Sequence, residues 1–367
     1  MQTGDVIGRY TLGPQIGQGG FGNIFTARDT ETGLIYALKN ESYASERKSL
    51  SFEYKILRRI QGVDYFPKLF DYGETKNLSY VVMELIGPSI SSILKSLPEK
   101  KFSLSTGIRT ARHVLFAVQS LHNLGFIHRD IKPANVLVRI AHSPPICLLD
   151  FGLVRIFKDQ KTGQHVPQRM KTGFRGTKTY ASVNAHLQND LSRRDDMISW
   201  FYFVLDILTP GLPWKNVSNA VDVAQMKAQF NVREFVQPIA PELADIWEIL
   251  QPLKFEDEPP YQRITDILND IMTKNNIREE DRWDWESFVA AYRDKLTNDF
   301  GVALRIDGGA DTTPYYTELG VPPQIMQHIE TRMTQRGGMH TPLLNRNRQH
   351  SAMQLSELDE KDSRCCC

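Results

Sequence analysis

The sequence predicts an α+β chain of two lobes, a small β-rich one followed by a larger helical one, with a cleft between them. Three observations carry that expectation. Strand patterns cluster in residues 10–41 and again at Leu78–Leu85, helical periodicity takes over from residue 103, and Gly87-Pro88-Ser89 punctuates the passage between the two. At 367 residues the chain is too long for one average domain and suits two lobes with a tail. The lobes are expected at 1–86 and 87–295, followed by a C-terminal extension at 296–367. Within that extension Pro322–Met333 has the pattern of a short helix. Residues 331–351, rich in Arg, Asn, Gln, Gly and His, open a largely disordered stretch that runs to the end.

The elements follow in order. Residues 10–41 carry branched and aromatic residues broken by glycines. Thr30-Glu31-Thr32-Gly33 reads as a turn between strands Asn23–Asp29 and Leu34–Asn40. Residues 46–60 switch to helical period, with Leu50, Ile56, Leu57 and Ile60 on one face. Ile108, Ala111, Leu115, Val118 and Leu121 form the stripe of a second helix, which Gly125 is placed to end. Trp200–Leu208 is apolar almost all round and therefore belongs at the centre of the larger lobe.

Composition narrows the function. Apolar residues make up 41% and charged residues 24%, the balance of a soluble protein with a large core. Lys plus Arg number 44 against 43 for Asp plus Glu, so a net charge of +1 gives no support to nucleic-acid binding. Three of the four cysteines end the chain, which excludes a disulfide-built secreted scaffold. No run reaches the roughly 18 apolar residues of a membrane span, and Met1-Gln2-Thr3-Gly4-Asp5 opens neither a signal peptide nor a myristoylation site. A cytoplasmic monomer is the expectation.

Four motifs carry the chemistry. Ile16-Gly17-Gln18-Gly19-Gly20-Phe21-Gly22-Asn23-Ile24 fits G-x-G-x-x-G, whose glycines let backbone N–H groups approach phosphate oxygens. A dinucleotide-binding turn would need a helix to open at these glycines, whereas the next segment returns as a strand. Lys39, on the strand after the turn, suits a cation held over nucleotide phosphates. Glu53 lies on the apolar stripe of the 46–60 helix, where a bare carboxylate is costly, and Lys39 is its natural partner. His128-Arg129-Asp130-Ile131-Lys132-Pro133-Ala134-Asn135 matches H-R-D-x-x-x-x-N: Asp130 would accept or orient a hydroxyl proton, Lys132 would balance charge, and Asn135 would ligate metal. His128 and Arg129 read as packing and scaffold residues of that loop. Asp150-Phe151-Gly152 follows the apolar run Ile146–Leu149 and delivers a second metal-binding carboxylate.

Together these motifs make residues 1–295 resemble the protein kinase superfamily, and more narrowly the casein kinase 1 group. That group carries Ser-x-Asn where others have Ala-Pro-Glu, and Ser182-Val183-Asn184 stands here. Phe174-Arg175-Gly176-Thr177 and Arg194-Asp195-Asp196 are similar to it too, while Phe102-Ser103-Leu104-Ser105-Thr106 and Leu212-Pro213-Trp214 lean to its tau-tubulin kinase branch. The resemblance implies a bilobal protein kinase fold, ATP and Mg2+ as cofactors, and phosphoryl transfer to protein Ser or Thr hydroxyls. It further implies Met83 at the back of the adenine pocket, Glu84 and Leu85 as hinge, Ala37 as roof and Leu137 as floor. A kinase-shaped scaffold that holds nucleotide without turnover is the alternative.

Three features stand apart from the resemblance. The group commonly has an arginine where Thr179 stands, which puts phosphate-primed substrates in doubt, because the neighbouring Lys178 is a point charge and not a fork. Residues 151–194 nevertheless carry nine basic and two acidic side chains, an excess of seven that favours acidic substrates. Cys365-Cys366-Cys367 offers thiols for acylation, and two attached chains could anchor the protein to a membrane.

Overall fold

The computed structural model describes residues 1–19, 22–45, 49–139, 143–159 and 161–300. Gly20 and Phe21, the expected helix Pro322–Met333, the polar stretch from residue 331 and Cys365–Cys367 lie outside the described residues.

Six antiparallel strands form the first lobe: β1 (Val6–Ile7), β2 (Tyr10–Gly19), β3 (Gly22–Asp29), β4 (Ile35–Ser42), β5 (Leu69–Glu74) and β6 (Leu78–Met83). Their order is β1-β2-β3-β4-β6-β5. The expected turn after Asp29 is present, closed by the Gly33 N–H donating to the Asp29 carbonyl at 2.8 Å. Helix α1 (Leu50–Ile60) lies against this sheet and starts later than the periodicity at 46 suggests. The reason is Glu41, at the end of β4. Its buried carboxylate accepts the N–H groups of Ser49 at 2.9 Å and Leu50 at 3.2 Å and so caps the helix there. Leu50, Ile56, Leu57 and Ile60 are buried together, as the stripe required, and Glu53 is buried among them.

Strand β6 ends at Met83, two residues before the expected Leu85. There Glu84 turns its carboxylate to Arg139, which donates Nε and Nη2 to its two oxygens at 2.9 Å each. Arg139 also donates to the Asp64 and Phe66 carbonyls, so one buried guanidinium holds the connector, the loop after α1 and the second lobe together.

The second lobe begins with α2 (Ile90–Ser96) and α3 (Leu104–Asn123), followed by the two-residue strand β7 (Phe126–Ile127) and the pair β8 (Val136–Val138) and β9 (Ile146–Leu148). Strand β10 (Arg155–Ile156) returns to pair with β7. Ser103 starts α3 by accepting the Thr106 N–H at 3.2 Å. Gly125, at φ +85°, closes it by donating to the His122 carbonyl at 2.9 Å, a backbone turn that favours glycine.

Beyond the short α4 (Val183–His186), helix α5 (Arg193–Leu208) occupies the centre, with every residue from Trp200 to Leu208 buried. It starts seven residues before Trp200 because Asp195 accepts the Ser192 N–H at 2.9 Å and fixes the first turn. Trp200 Nε1 donates to the Ala111 carbonyl at 2.9 Å, binding α5 to α3. The remaining helices are α6 (Ala220–Ala228), α7 (Val232–Val236), α8 (Leu243–Leu250), α9 (Tyr261–Lys274) and α10 (Glu286–Phe300). No helix among the described residues is long and apolar enough to cross a membrane.

Arg109 on α3 is fully buried and holds the segment before α10. It donates to the carbonyls of Glu279 at 3.0 Å and Arg282 at 3.1 Å, with its guanidinium 3.8 Å from the Trp283 ring centre. Arg109→Ala would orphan two carbonyls and remove a cation–π contact, so a loss of about 3 kcal/mol is expected in denaturant unfolding. A midpoint unchanged from wild type would show that these bonds add nothing.

Candidate active site

Strand β4 places Lys39 inside the cleft. Lys39 lies opposite Ile24 on β3 and Val81 on β6, so it projects between two paired neighbours and is only 6% exposed. Its Nζ lies 2.6 Å from Glu53 Oε2 and 3.5 Å from Asp150 Oδ1. Burial works to lower the Lys39 pKa, and the two carboxylates outweigh it, holding the amine above its ordinary value and charged. Glu53 also accepts the backbone N–H of Phe151. The pairing expected from the stripe is present, and it joins the sheet, α1 and the turn after β9 at one point.

That turn is a short 3-10 element, Phe151–Leu153. Asp150 before it has φ +66°, a left-handed conformation that L residues rarely adopt and that turns its carboxylate into the cleft. Phe151 points the other way, fully buried, with its ring 5.6 Å from Phe66 and 5.7 Å from His128, centre to centre.

The loop 128–135 collects the remaining groups. Lys132 Nζ donates to Asp130 Oδ2 at 2.6 Å, and Asn135 Nδ2 donates to the Asp130 carbonyl at 2.9 Å and to Oδ2 at 3.3 Å. His128 and Arg129 are scaffold, as expected: His128 Nε2 lies 3.0 Å from the Leu149 carbonyl, and Arg129 Nε donates to the Leu153 carbonyl at 2.6 Å. The carboxylate of Asp150 and the amide oxygen of Asn135 fit a hard divalent cation. Asp150 Oδ1 is buried, and its one close partner is the Lys39 amine at the long distance of 3.5 Å, which leaves acceptor capacity for a ligand. No three His, Cys, Asp or Glu side chains cluster as a metal cage among the described residues, so a cation here would need oxygens supplied by its phosphate partner.

Above the cleft, Gly17 pairs with Ile24, Gln18 with Asn23 and Gly19 with Gly22, so the glycine motif is the tip of the β2–β3 hairpin. Ile16 at its base is partly exposed. Ala37 is paired with Met83 across β4 and β6, and Leu137 lies on β8 in the other lobe, the positions expected for a roof, a back wall and a floor. The Glu84 side chain is held by Arg139 and its N–H donates to the Lys68 carbonyl at 2.9 Å, while the Glu84 carbonyl and the peptide groups of Leu85 and Ile86 carry no main-chain hydrogen bond among the described residues. A flat heterocycle would find its donor and acceptor there.

Three functional residues escaped sequence reasoning. Thr177 donates its hydroxyl to Asp130 Oδ1 at 2.7 Å and accepts from Lys132 Nζ at 2.9 Å, closing a ring around the carboxylate. Ile86 continues the expected hinge segment of Glu84 and Leu85, with no main-chain hydrogen bond of its own among the described residues. Asp196 accepts the N–H groups of His128 at 2.6 Å and Arg129 at 2.8 Å, with His122 Nε2 2.9 Å away. Burial would raise the Asp196 carboxyl, and these donors outweigh it and hold it below the ordinary range. A polar residue on an all-buried helix was the available signal.

Two outcomes test this geometry. A Cβ on Gly22 would sit 1.9 Å from the Asn40 carbonyl at a φ of +137°. Gly22→Ala is therefore expected to weaken ATP-analogue binding roughly tenfold, from about 1–3 kcal/mol of backbone strain; calorimetry showing equal affinity would contradict it. Asp196, with its depressed folded pKa, contributes stability that is present above the unfolded carboxylate pKa and lost as pH falls through the folded one. Asp196→Asn is expected to flatten that acid limb and lower the neutral-pH melting temperature.

The comparisons with known proteins agree with this arrangement. Residues 10–289 match the family described as protein kinase domain. A probable serine/threonine-protein kinase of Dictyostelium discoideum is 34% identical over 283 residues, which are 77% of this chain and 57% of that protein. The chain thus covers little more than half of that relative. On the family match, the sheet-over-helices architecture and the gathered Lys39, Glu53, Asp130, Asn135 and Asp150, the chain belongs to the protein kinase domain family.

Proposed function

We propose that the chain is a serine/threonine protein kinase that transfers the γ-phosphoryl group of ATP to a protein hydroxyl. The single observation that carries this is the ring of Asp130, Lys132 and Thr177 set beside the Lys39–Glu53–Asp150 group. Asp130 takes the proton of the incoming hydroxyl, whose oxygen bonds to the γ-phosphorus as the bond to the bridging oxygen breaks and ADP leaves. Lys132 balances charge on the phosphoryl oxygens, and Lys39 orients the other phosphates. Asp150 and Asn135 would hold magnesium, which when bound neutralises phosphate charge. Gly17, Gly19 and Gly22 cover the phosphates, and the groups work chiefly by position.

Within the superfamily the casein kinase 1 group is the best placement. Ser182 Oγ donates to Asp195 Oδ1 at 2.6 Å and Asn184 Nδ2 donates to the same oxygen at 3.0 Å, which gives the Ser-x-Asn spacing a structural purpose. Asp195, at the start of α5, ties the end of the activation segment to the lobe's central helix.

The charge excess of residues 151–194 is smaller in effect than its count. Arg155 and Arg169 share the buried Asp190, Lys178 is spent on the Val217 and Ser218 carbonyls at 2.6 and 2.7 Å, and Arg193 and Arg194 reach carbonyls of residues 256 and 253. Exposed Lys161 and Lys171 and half-exposed Arg175 remain to meet a substrate. With Thr179 uncharged and Lys178 tied down, we place the preference on acidic side chains and not on a priming phosphate. A cytoplasmic protein, membrane-attached when the terminal cysteines are acylated, completes the proposal; Ser at all three positions should then move it to the soluble fraction.

The purified chain is expected to phosphorylate dephosphorylated casein with ATP and magnesium, with Asp150→Asn as blank and Asp130→Asn lower in kcat by about 10³-fold. Nucleotide binding without transfer above the blank would instead mark a scaffold. Acetylated serine peptides with acidic flanks should show roughly fivefold lower KM than basic ones; equal values would end the acidic preference.

A further inference from the structure

Lys227 on α6 is a buried cation without a buried anion. It is 3% exposed, yet no carboxylate pairs with it among the described residues. Its Nζ donates to the carbonyls of Lys178 at 2.8 Å and Ala181 at 2.6 Å and lies 3.3 Å from His186 Nε2, which a neutral ring can offer as an acceptor. The faces of Tyr202 and Trp214 flank it, 5.0 and 5.4 Å from the ring centres. With the His186 tautomer that leaves Nε2 unprotonated, three N–H donors meet three uncharged acceptors, the set that suits a protonated amine.

The carbonyls it holds belong to the turn that follows Thr177, the residue bonded to Asp130. That turn is closed by the Tyr180 and Ala181 N–H groups donating to the Thr177 carbonyl and is fixed from the same side by Trp214 Nε1, which donates to the Thr179 carbonyl at 2.8 Å, and by Lys178 Nζ, which reaches the loop before α6.

We propose that Lys227 is a positioning residue for peptide substrate, whose protonated amine holds the 178–181 turn in its binding geometry and is released as pH rises. The proposal rests on the kinase reading above. Burial pushes the Lys227 amine down to about 7, into the range where enzymes work. The groups facing it reinforce its role. His186 on α4, pushed down to about 4 by burial and by Lys227 itself, stays neutral throughout. Tyr202 on α5 is pushed up by burial and also stays neutral, and Lys178 turns its charged end to the Val217 and Ser218 carbonyls. Lys227 is then the group in this cluster that changes charge near neutrality.

The test uses the full chain and the better of the matched peptides, acetylated and free of His and Cys, from about pH 6 to about pH 9. Peptide KM is expected to rise roughly fivefold or more across that range while ATP KM stays level, because a ligand that requires the protonated form loses affinity above its pKa. Lys227→Met should show the high peptide KM at every pH, with the loss in KM and not in kcat, and with ATP KM confirming that it folds. A flat wild-type profile, or a Lys227→Met profile that keeps the alkaline rise, overturns the proposal. Anisotropy of the labelled peptide in the presence of a non-hydrolysable ATP analogue reads the same shift without turnover. A chain that binds peptide in this way but transfers no phosphate would therefore refute the kinase reading and leave Lys227 standing.

Discussion

The buried contact between Lys39 and Glu53, 2.6 Å long, is the interaction on which the rest of the structure turns. Neither charge could remain in that interior alone, because a lone buried ion costs several kcal/mol and would neutralise or unfold its surroundings. Pairing them fixes α1 against β4. Since Glu53 also takes the Phe151 N–H and Lys39 reaches Asp150, the pair fixes the start of the activation segment as well. Two lobes that share one continuous apolar cluster are thereby also tied by charge at the point where phosphates would bind. The contact is a device of specificity more than of stability: a pair of apolar residues could pack there, but could not aim Asp150.

Beneath that point the second lobe repeats one solution three times within seven residues. Asp190, Asp195 and Asp196 are all buried, and each collects donors from a different part of the site. Asp190 binds Arg155, Arg169 and the Arg169 N–H; Asp195 binds Ser182 and Asn184; Asp196 binds the N–H groups of the catalytic loop. Charge-assisted bonds of this kind are stronger and geometrically stricter than neutral ones. The start of α5 therefore serves as an anchor for both the loop that carries Asp130 and the segment that carries Thr177.

Most of the fold was legible because its signals are local. The turn at Thr30–Gly33, the stripe of α1, the end of α3 at Gly125 and the apolar run of α5 each follow from periodicity or backbone preference within a dozen residues. Lys39, Glu53, Asp130, Asn135 and Asp150 were legible because their residue types and spacings are chemically constrained. What escaped depends on contacts between distant stretches. Glu41 caps α1 at Leu50, Arg139 takes the Glu84 side chain, and Thr177 reaches Asp130 across 47 positions. None of these partners carries a local pattern. Which basic residues of 151–194 are already paired was not legible for the same reason, since composition counts charges and cannot see their partners.

If the lysine, the glutamate and the metal-facing aspartate act as one assembled unit, their losses cannot add. The decisive measurement is a double-mutant cycle on kcat/KM with Lys39→Met, Glu53→Gln and the combined variant, each checked for folding by thermal melt. The account requires the double variant to be about as impaired as the worse single one, a coupling of about 2 kcal/mol or more. Losses that simply multiply would mean the two residues act independently, and the ion pair would not be the keystone described here.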